Sequence, residues 1–495
     1  MVAPLNSSRS RSKAIAMSRN TGASSWLTAA AVARITGGEV LQRGRTADTI
    51  VTDSRQDCSN KLFVALRGDS HDGHAHCADA VRKGARGLLV RVPMHELAGL
   101  DRTASAPFVV RVADTGEALL KLAAEHRRRQ RARVVGITGS CGKTTVKEWL
   151  GSVLATAMET VRSPASFNNQ VGVPITLFQV QPETRAAVVE IGTNAPGEIA
   201  ALSAVASPDI AIVTCVAAAH LAGLGSIEGV AAEKSDLPRS VEEGGLCILN
   251  ADDPNVRLMA GLTKARVQFV AVDKPADWYA TNVQFHAMGT SFLLQGQRPV
   301  TLPRVGTHNV YNALFVIAAA SEMGVPEEQV LQALAAVPPA SRRLEPKVAG
   351  GVTVFDDTYN MNPQSARAGL QALAGMAGGG RRIAVFGEML ELGAASEQLH
   401  RELGAEVVRQ RMEHLVCVGA GAAPIRDGAL AAGMPASRAL LCKDINEAHE
   451  ALLAMVRPGD KVLCKASRRV ALDRLVDRLV ASVGTSGATA AAEAN

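Results

Sequence analysis

Lys143 and Thr144 close a glycine-rich run, Val-Val-Gly-Ile-Thr-Gly-Ser-Cys-Gly-Lys-Thr-Thr from Val134 to Thr145, and that order of residue types suits the holding of phosphates. In the turn Thr138, Gly139, Ser140, Cys141 and Gly142 the backbone N–H groups and the positive end of a following helix would meet the anion. Lys143 would reach the terminal phosphate, and the Thr144 hydroxyl is placed for Mg²⁺. The strict phosphate-loop pattern has glycine five residues before Gly142, where this chain has Ile137; its glycines stand at 136 and 139 instead. A glycine turn without a ligand is the alternative, and the Lys-Thr pair argues against it. Further along, Glu190 ends the apolar run Ala186 to Ile191, where a nucleotide site needs a carboxylate for Mg²⁺; a structural salt bridge is the competing reading. His220 is followed fourteen residues on by Lys234, inside Ala-Ala-Glu-Lys-Ser. A single histidine of this kind more often packs or faces solvent than ligates. Three histidines and Cys77 crowd residues 71–77, but H-x-x-H-x-H-C matches no tetrahedral metal spacing. A polar loop that holds a ligand, around Asp72, Gly73 and His74, is the better reading.

These residues need elements to position them. Val134 to Thr138 reads as a short buried strand, and Val146, Trp149, Leu150, Val153 and Leu154 fall on one helical face after the turn. Strand and helix patterns then alternate, which implies a mostly parallel sheet covered by helices. The expected fold is α/β in three domains. A basic tail (1–20) precedes a small α/β domain (21–112), followed by a central P-loop-type domain with a mostly parallel sheet (113–344). A Rossmann-like α/β domain (345–483) and a flexible Ala-rich tail (484–495) complete the chain. Strands are expected at Leu62 to Leu66, Gly87 to Val92, Ile210 to Val216, Gly245 to Leu249, Val352 to Phe355, Arg382 to Phe386, His414 to Val418 and Lys461 to Cys464. A hairpin-like β stretch is expected over about 281–303, before the apolar helix Ala313 to Ala320. No internal repeat is visible.

The composition narrows the class. The 495 residues are 47% hydrophobic and 20% charged, as in an ordinary soluble globular protein. The net charge is +6, and Arg9, Arg11, Lys13 and Arg19 supply four positive charges in the first twenty residues, so bulk charge gives no argument for nucleic-acid binding. The basic run Arg127 to Arg133 reads as the solvated end of a helix. Eight scattered cysteines, with no C-x-x-C pair, suit a reducing, cytoplasmic setting. The basic start lacks a continuous apolar stretch after it, so no signal peptide is expected, and Met17 is an alternative start. The apolar window Ile199 to Leu224 is interrupted by Ser207-Pro208-Asp209 and reads as helix, turn and strand, not as a membrane span.

Taken in order, the phosphate loop, Glu190, His220, Lys234, Asp356-Asp-Thr-Tyr-Asn-Met-Asn-Pro363 and Gly387-Glu-Met-Leu-Glu-Leu-Gly393 resemble the Mur ligases of peptidoglycan synthesis, over about 25–480. The last two stretches are similar to those of the dipeptide-adding members, and the Asp-Asn-Pro-Arg signature of the diamino-acid-adding ones is absent. The resemblance implies an ATP-dependent amide ligation: a carboxylate of UDP-N-acetylmuramoyl-tripeptide becomes an acyl phosphate, which the amine of D-alanyl-D-alanine then attacks. It implies two Mg²⁺ ions, held by Thr144, Glu190 and His220, and a Lys234 open to carbamylation. Asn309 and Asn312 would face adenine, while Arg343 and Asp357 would reach phosphate and ribose. Asp53, Ser54 and Arg55 would meet the uridine end. Asn360, Asn362, Lys465 and Ser467 would border the dipeptide. A monomer is implied, without membrane insertion. The chain departs from the family at Thr214 and Cys215 (usually asparagine), Ala217-Ala218 (Gly-Pro), Ala222 (an acid) and Ala466 (glycine). Two other readings stay open: a different ligase of this fold, diamino-acid-adding or folylpolyglutamate-like, and a nucleotide-binding module without catalysis.

Overall fold

The computed structural model describes residues 26–68, 71–97, 106–286, 289–337, 341–376 and 378–493. The basic stretch 1–20 lies outside them, as do Asp69 and Ser70 of the histidine-rich loop. Among these residues the chain forms three sheets in two compact units, one ending at Thr115 and the other beginning at Gly116.

The first unit holds strands β1 (Glu39–Gln42), β2 (Thr49–Val51), β3 (Lys61–Val64), β4 (Gly87–Val90) and β5 (Phe108–Arg111), in the order β1-β5-β4-β3-β2. Only the β1–β5 pair is antiparallel. Leu62, Phe63, Val64, Leu88, Leu89 and Val90 are buried on both faces of the sheet, as parallel strands require. Because β2 and β3 run parallel, the turns that follow them, with Asp53 and Asp72, leave the same end of the sheet.

In the second unit nine strands form one sheet: β6 (Arg133–Thr138), β7 (Thr160–Arg162), β8 (Ala186–Glu190), β9 (Ile210–Val213), β10 (Leu246–Asn250), β11 (Arg266–Val272), β12 (Trp278–His286), β13 (Gly289–Leu294) and β14 (Arg298–Leu302). Their order is β14-β13-β12-β11-β10-β9-β6-β8-β7. Strands β6 to β12 pair in parallel, and β12, β13 and β14 turn back as an antiparallel meander, one strand more than the expected hairpin. The helix Lys143–Leu154 buries Val146, Trp149, Leu150 and Val153 against this sheet and against the helix Thr307–Glu322, whose run Ala313 to Ala320 is wholly buried.

A second sheet of the same unit has the order β15-β16-β20-β17-β18-β19. It comprises β15 (Glu345–Ala349), β16 (Val352–Asp356), β17 (Arg382–Phe386), β18 (His414–Val418), β19 (Ala439–Cys442) and β20 (Lys461–Lys465). All pairs but β15–β16 are parallel, and an apolar core covers each face.

Three features differ from expectation. The helix Asp473–Glu493 continues past Val483, where a flexible tail is expected. Arg127 is bound rather than solvated: its guanidinium donates to Ala206 O (3.0 Å), Ser207 O (3.1 Å) and Asp209 Oδ2 (3.0 Å), satisfying carbonyls at the end of the helix Glu198–Ala206. The window Ile199 to Leu224 folds as helix, strand β9 and the short helix Leu221–Leu224, and among the described residues no helix is long and apolar enough to cross a membrane.

Candidate active site

The parallel order β9-β6-β8 sets three loops side by side at one end of the sheet. Register pairs Ile137 with Glu190 and Thr138 with Val213, so the phosphate loop leaves β6 between Glu190 and Thr214. Gly139 (φ 143°) and Gly142 (φ 84°) have conformations that disfavour side chains. Space is equally short there, since a Cβ on Gly139 would lie 1.9 Å from Thr214 Oγ1 and one on Gly142 2.7 Å from Asn312 Oδ1. The loop is tied down by Ser140 N donating to Cys215 O (2.8 Å) and Thr214 Oγ1 donating to Cys141 O. Lys143 Nζ donates to Gly139 O at 2.6 Å. Thr138 is buried, and its hydroxyl has no hydrogen-bond partner.

Glu190 is 1% exposed. Its Oε1 accepts from Asn168 Nδ2 (2.9 Å), while the buried Oε2 has no partner. A carboxylate oxygen kept from water without a hydrogen bond is costly, and here the residue lines a cavity of about 890 Å³ together with Lys143, Thr144 and His220. That unpaired oxygen, on a residue lining the same cavity as Thr144, fits a divalent cation, for which hard oxygen donors are the usual ligands. Among the described residues no lysine, arginine or histidine pairs with Glu190, which leaves the salt-bridge reading without support.

The other wall of this cavity comes from the last sheet. Arg343 donates to Thr144 Oγ1 (2.9 Å) and lies 4.2 Å over the Tyr359 ring. Asp357, one residue beyond β16, accepts from Lys465 Nζ (2.7 Å) at the end of β20 and from Leu344 N (3.2 Å). Burial, set against the nearby Lys465, raises the Asp357 pKa. Lys465 also donates to Asn360 O (2.9 Å). Asn362 caps the helix Pro363–Gly375, and its amide reaches Ser140 O (3.3 Å) and the Cys141 sulfur (3.3 Å). One loop thus ties the last sheet to the phosphate loop. The Cys141 thiol is pushed down to about 6, first by the neighbouring Cys215 thiol, then by Asn362 and the Lys143 and Lys465 charges, while burial opposes.

His220 sits in the left-handed region (φ 57°, ψ 28°), with Nδ1 2.7 Å from Glu391 Oε2. Lys234 is 1% exposed on the helix Ile227–Arg239, and its pKa is pushed down to about 7 by burial, then by the Lys143 charge.

The middle-domain model of the Mur ligases matches residues 137–320, and the Mur ligase glutamate ligase domain matches 342–468. A UDP-N-acetylmuramoyl-tripeptide–D-alanyl-D-alanine ligase of Mycobacterium tuberculosis is 38% identical, over 92% of this chain and 98% of its own length. The chain belongs to the Mur ligase family. The Bacillus subtilis protein of the same name is 31% identical over 88% of this chain and 93% of its own. A crystal structure of MurF from Acinetobacter baumannii superposes with a TM-score of 0.83 at 30% identity, covering 92% of this chain and 98% of that one.

Within this Mur ligase the cavity gathers Ser140, Cys141, Gly142, Lys143, Thr144, Glu190, His220, Asn309, Asn312, Arg343, Asp357, Asn360, Asn362 and Lys465. Asn309 and Asn312 are buried and linked, Asn312 Nδ2 donating to Asn309 Oδ1 (3.2 Å). Ser467 stands apart from the cavity lining. Its hydroxyl accepts from Leu390 N (2.9 Å) and so anchors the loop of residues 387–393. Ala466 is accommodated because Gly387 faces it; a Cβ there would lie 2.8 Å from the Ala466 methyl.

In the first unit Asp53 accepts from Arg55 N (2.9 Å) and from its guanidinium (2.8 Å to Oδ2), which holds the Asp53 carboxyl at about 2. The Arg55 side chain is 89% exposed, whereas Ser54 is buried. Asp72 caps the turn Gly73–His76 by accepting from His74 N (3.0 Å) and pairs with His74 Nδ1. His74 Nε2 accepts from Arg91 N (2.9 Å), so both ring nitrogens are used within the protein and neither is free for a metal. Gly73 is required by close approach, since a Cβ would lie 2.7 Å from Leu66 O.

The sequence reading missed four contributors to the cavity and its surroundings. Asn168, Tyr359 and His308 line it, and burial pushes the His308 ring down to about 4. Glu391 pairs with His220. Tyr359 and Glu391 lie inside the two stretches that carry the family resemblance, and His308 opens the apolar helix, but only the fold says which side chains turn inward.

Proposed function

We propose that this Mur ligase joins D-alanyl-D-alanine to UDP-N-acetylmuramoyl-tripeptide at the expense of ATP, in peptidoglycan precursor synthesis. The observation that carries the reading is the single cavity in which the phosphate loop, Glu190 and the last sheet's Arg343, Asp357 and Asn362 meet. The names of relatives 31 to 38% identical over most of both chains support the choice of substrates. A carboxylate is a poor electrophile; attack of its oxygen on the γ-phosphorus, with the bond to the β,γ-bridging oxygen breaking, gives an acyl phosphate and ADP. The dipeptide amine then adds to the acyl carbon, and phosphate departs from the tetrahedral intermediate. Both steps crowd anions together, so fixed cations dominate the catalysis.

Lys143 exchanges Gly139 O for an oxygen of the terminal phosphate, and Arg343 adds a second positive charge from the last sheet. The turn Thr138 to Gly142 cradles the phosphates, Asn309 and Asn312 face adenine, and Asp357 meets the ribose. Thr144, Glu190 and His220 are the residues that would hold two Mg²⁺ ions, whose charge screens the phosphates and the developing anion. A Lys234 amine held near 7 is largely neutral at cellular pH, and a neutral amine is the form that takes up CO₂ to become a carbamate. Asn360, Asn362, Lys465 and Ser467 border or brace the dipeptide pocket. Asp53, Ser54 and Arg55, with Asp72, Gly73 and His74, bind the UDP-linked substrate. On this reading the protein acts as a cytoplasmic monomer, with domains bounded near 112, 344 and 483. ADP release with a panel of amines tests this directly: D-alanyl-D-alanine stimulates release, and stimulation by a free diamino acid or glutamate instead would overturn the substrate assignment.

A further inference from the structure

His220 can ligate a cation only through a ring nitrogen that carries a lone pair and points to the cavity, so something must fix its tautomer. Its Nδ1 stands 2.7 Å from Glu391 Oε2, and a carboxylate accepts hydrogen bonds, so in the neutral ring Nδ1 carries the proton and Nε2 the lone pair. Backbone contacts hold the two loops in that register. Ala222 N donates to Glu391 O (3.0 Å), and Leu390 N donates to Ser467 Oγ (2.9 Å), which fixes the Glu391 loop to the last sheet. Both partners adopt left-handed backbone, His220 at φ 57° and Glu391 at φ 66°, a conformation that bulky residues keep only where surrounding contacts over-determine it. Position 222, next to this contact, is an alanine and brings no carboxylate of its own. The carboxylate beside His220 comes instead from the loop that follows β17 in the other sheet.

We propose that Glu391 is the positioning residue of His220: it sets the Nδ1–H tautomer, aims Nε2 at a divalent cation, and makes completion of that site depend on docking of the last sheet. The proposal rests on the reading of His220 as a metal ligand. A carboxylate behind a ligating histidine raises its basicity and fixes its ring, and removal of such a partner costs about 10–100-fold in metal affinity.

The test uses the full chain labelled with ¹⁵N-histidine, with the His220 signals assigned from a His220→Asn variant. In long-range ¹H–¹⁵N spectra of metal-free protein, wild type shows a protonated Nδ1 and an unprotonated Nε2 at His220. Glu391→Ala gives a tautomer mixture, and Glu391→Gln, whose amide oxygen still accepts from Nδ1, keeps most of the wild-type pattern. Mn²⁺ added alone broadens the His220 signals, with an affinity at least about tenfold weaker in Glu391→Ala and partly rescued in Glu391→Gln. An unchanged tautomer and Mn²⁺ affinity in Glu391→Ala overturns the proposal. A tautomer change without Mn²⁺ broadening at His220 in any variant overturns the metal reading instead, and with it the coupling to a cation. If Glu391→Ala does not fold, Glu391→Asp, which withdraws the carboxylate by one methylene, answers the same question by the same two readouts.

Discussion

The role proposed for Glu190 sets ligand binding against the fold, and replacing the residue with glutamine separates the two. One oxygen is satisfied by Asn168 and the other is buried with no partner. An unsatisfied buried polar atom costs about 1–3 kcal/mol, and a charged one more. Glu190→Gln keeps the shape and an acceptor for Asn168 and exchanges the unpaired anionic oxygen for an unpaired neutral amide, so without nucleotide and Mg²⁺ the variant should be more stable by about 1 kcal/mol, or a rise of about 1 °C in Tm for a unit of this size. With Mg·ATP at a hundred times its dissociation constant, wild type gains about 2.7 kcal/mol, whereas a variant whose affinity has fallen a hundredfold gains only about 0.4 kcal/mol. The order of the two melting curves therefore reverses when Mg·ATP is added. Scanning calorimetry of both proteins, with and without Mg·ATP, reads the crossing, and turnover of the variant should drop at least about a hundredfold. A variant less stable than wild type in the absence of ligand would refute the argument, because it would show that the Glu190 charge is compensated inside the fold.

Three further outcomes follow from the same geometry. Gly139→Ala combines a φ of 143° with a contact of 1.9 Å to Thr214 Oγ1, so it should displace the phosphate loop and weaken ATP binding more than tenfold by calorimetric titration, with Thr214→Ala in the same chain restoring only part of the loss. Cys141, held near 6, is mostly thiolate above neutral pH; its rate of alkylation by iodoacetamide should rise from pH 5 to 7 and then level, and ATP should protect it, as peptide mapping of the labelled cysteine will show. Arg343→Lys keeps the charge but loses the guanidinium hydrogen bond to Thr144 and the stacking on Tyr359, so kcat should fall about tenfold or more with little change in stability, measured by steady-state kinetics and thermal melts.

The buried parallel strands were legible because their residues say so twice, in apolar runs and in the polar turns that end them; β17 and β18 span the residues expected, Arg382 to Phe386 and His414 to Val418. Five of the strands that escaped notice, β1, β2, β7, β15 and β19, are short and lie at a sheet edge, where side chains carry less of the apolar signal; β5 and β11, inside their sheets, were missed as well. The site divides in the same way. Lys143, Thr144 and Glu190 announce themselves through local spacing and position on a strand. Arg343, Asp357 and Asn362 do not, and they entered through family resemblance, because no local pattern reveals that β16 and β20 end opposite the phosphate loop. Glu391 and His220 are 171 residues apart, and their contact exists only once two sheets are packed. In sequence Cys141 is one more residue of the glycine turn, whereas the fold brings Cys215, Asn362 and Lys465 to bear on its thiol.

Transfer of an oxygen label tests the central claim most directly. UDP-N-acetylmuramoyl-tripeptide with ¹⁸O in the terminal carboxylate of its peptide is incubated with the protein, ATP, Mg²⁺ and D-alanyl-D-alanine, and the phosphate released is analysed by mass spectrometry. An acyl phosphate requires that one labelled oxygen per turnover appear in inorganic phosphate, with ADP formed in equal amount and, beyond a first equivalent per enzyme, only as the dipeptide is consumed. Unlabelled phosphate, or ADP formed at the same rate without the dipeptide, would contradict the account.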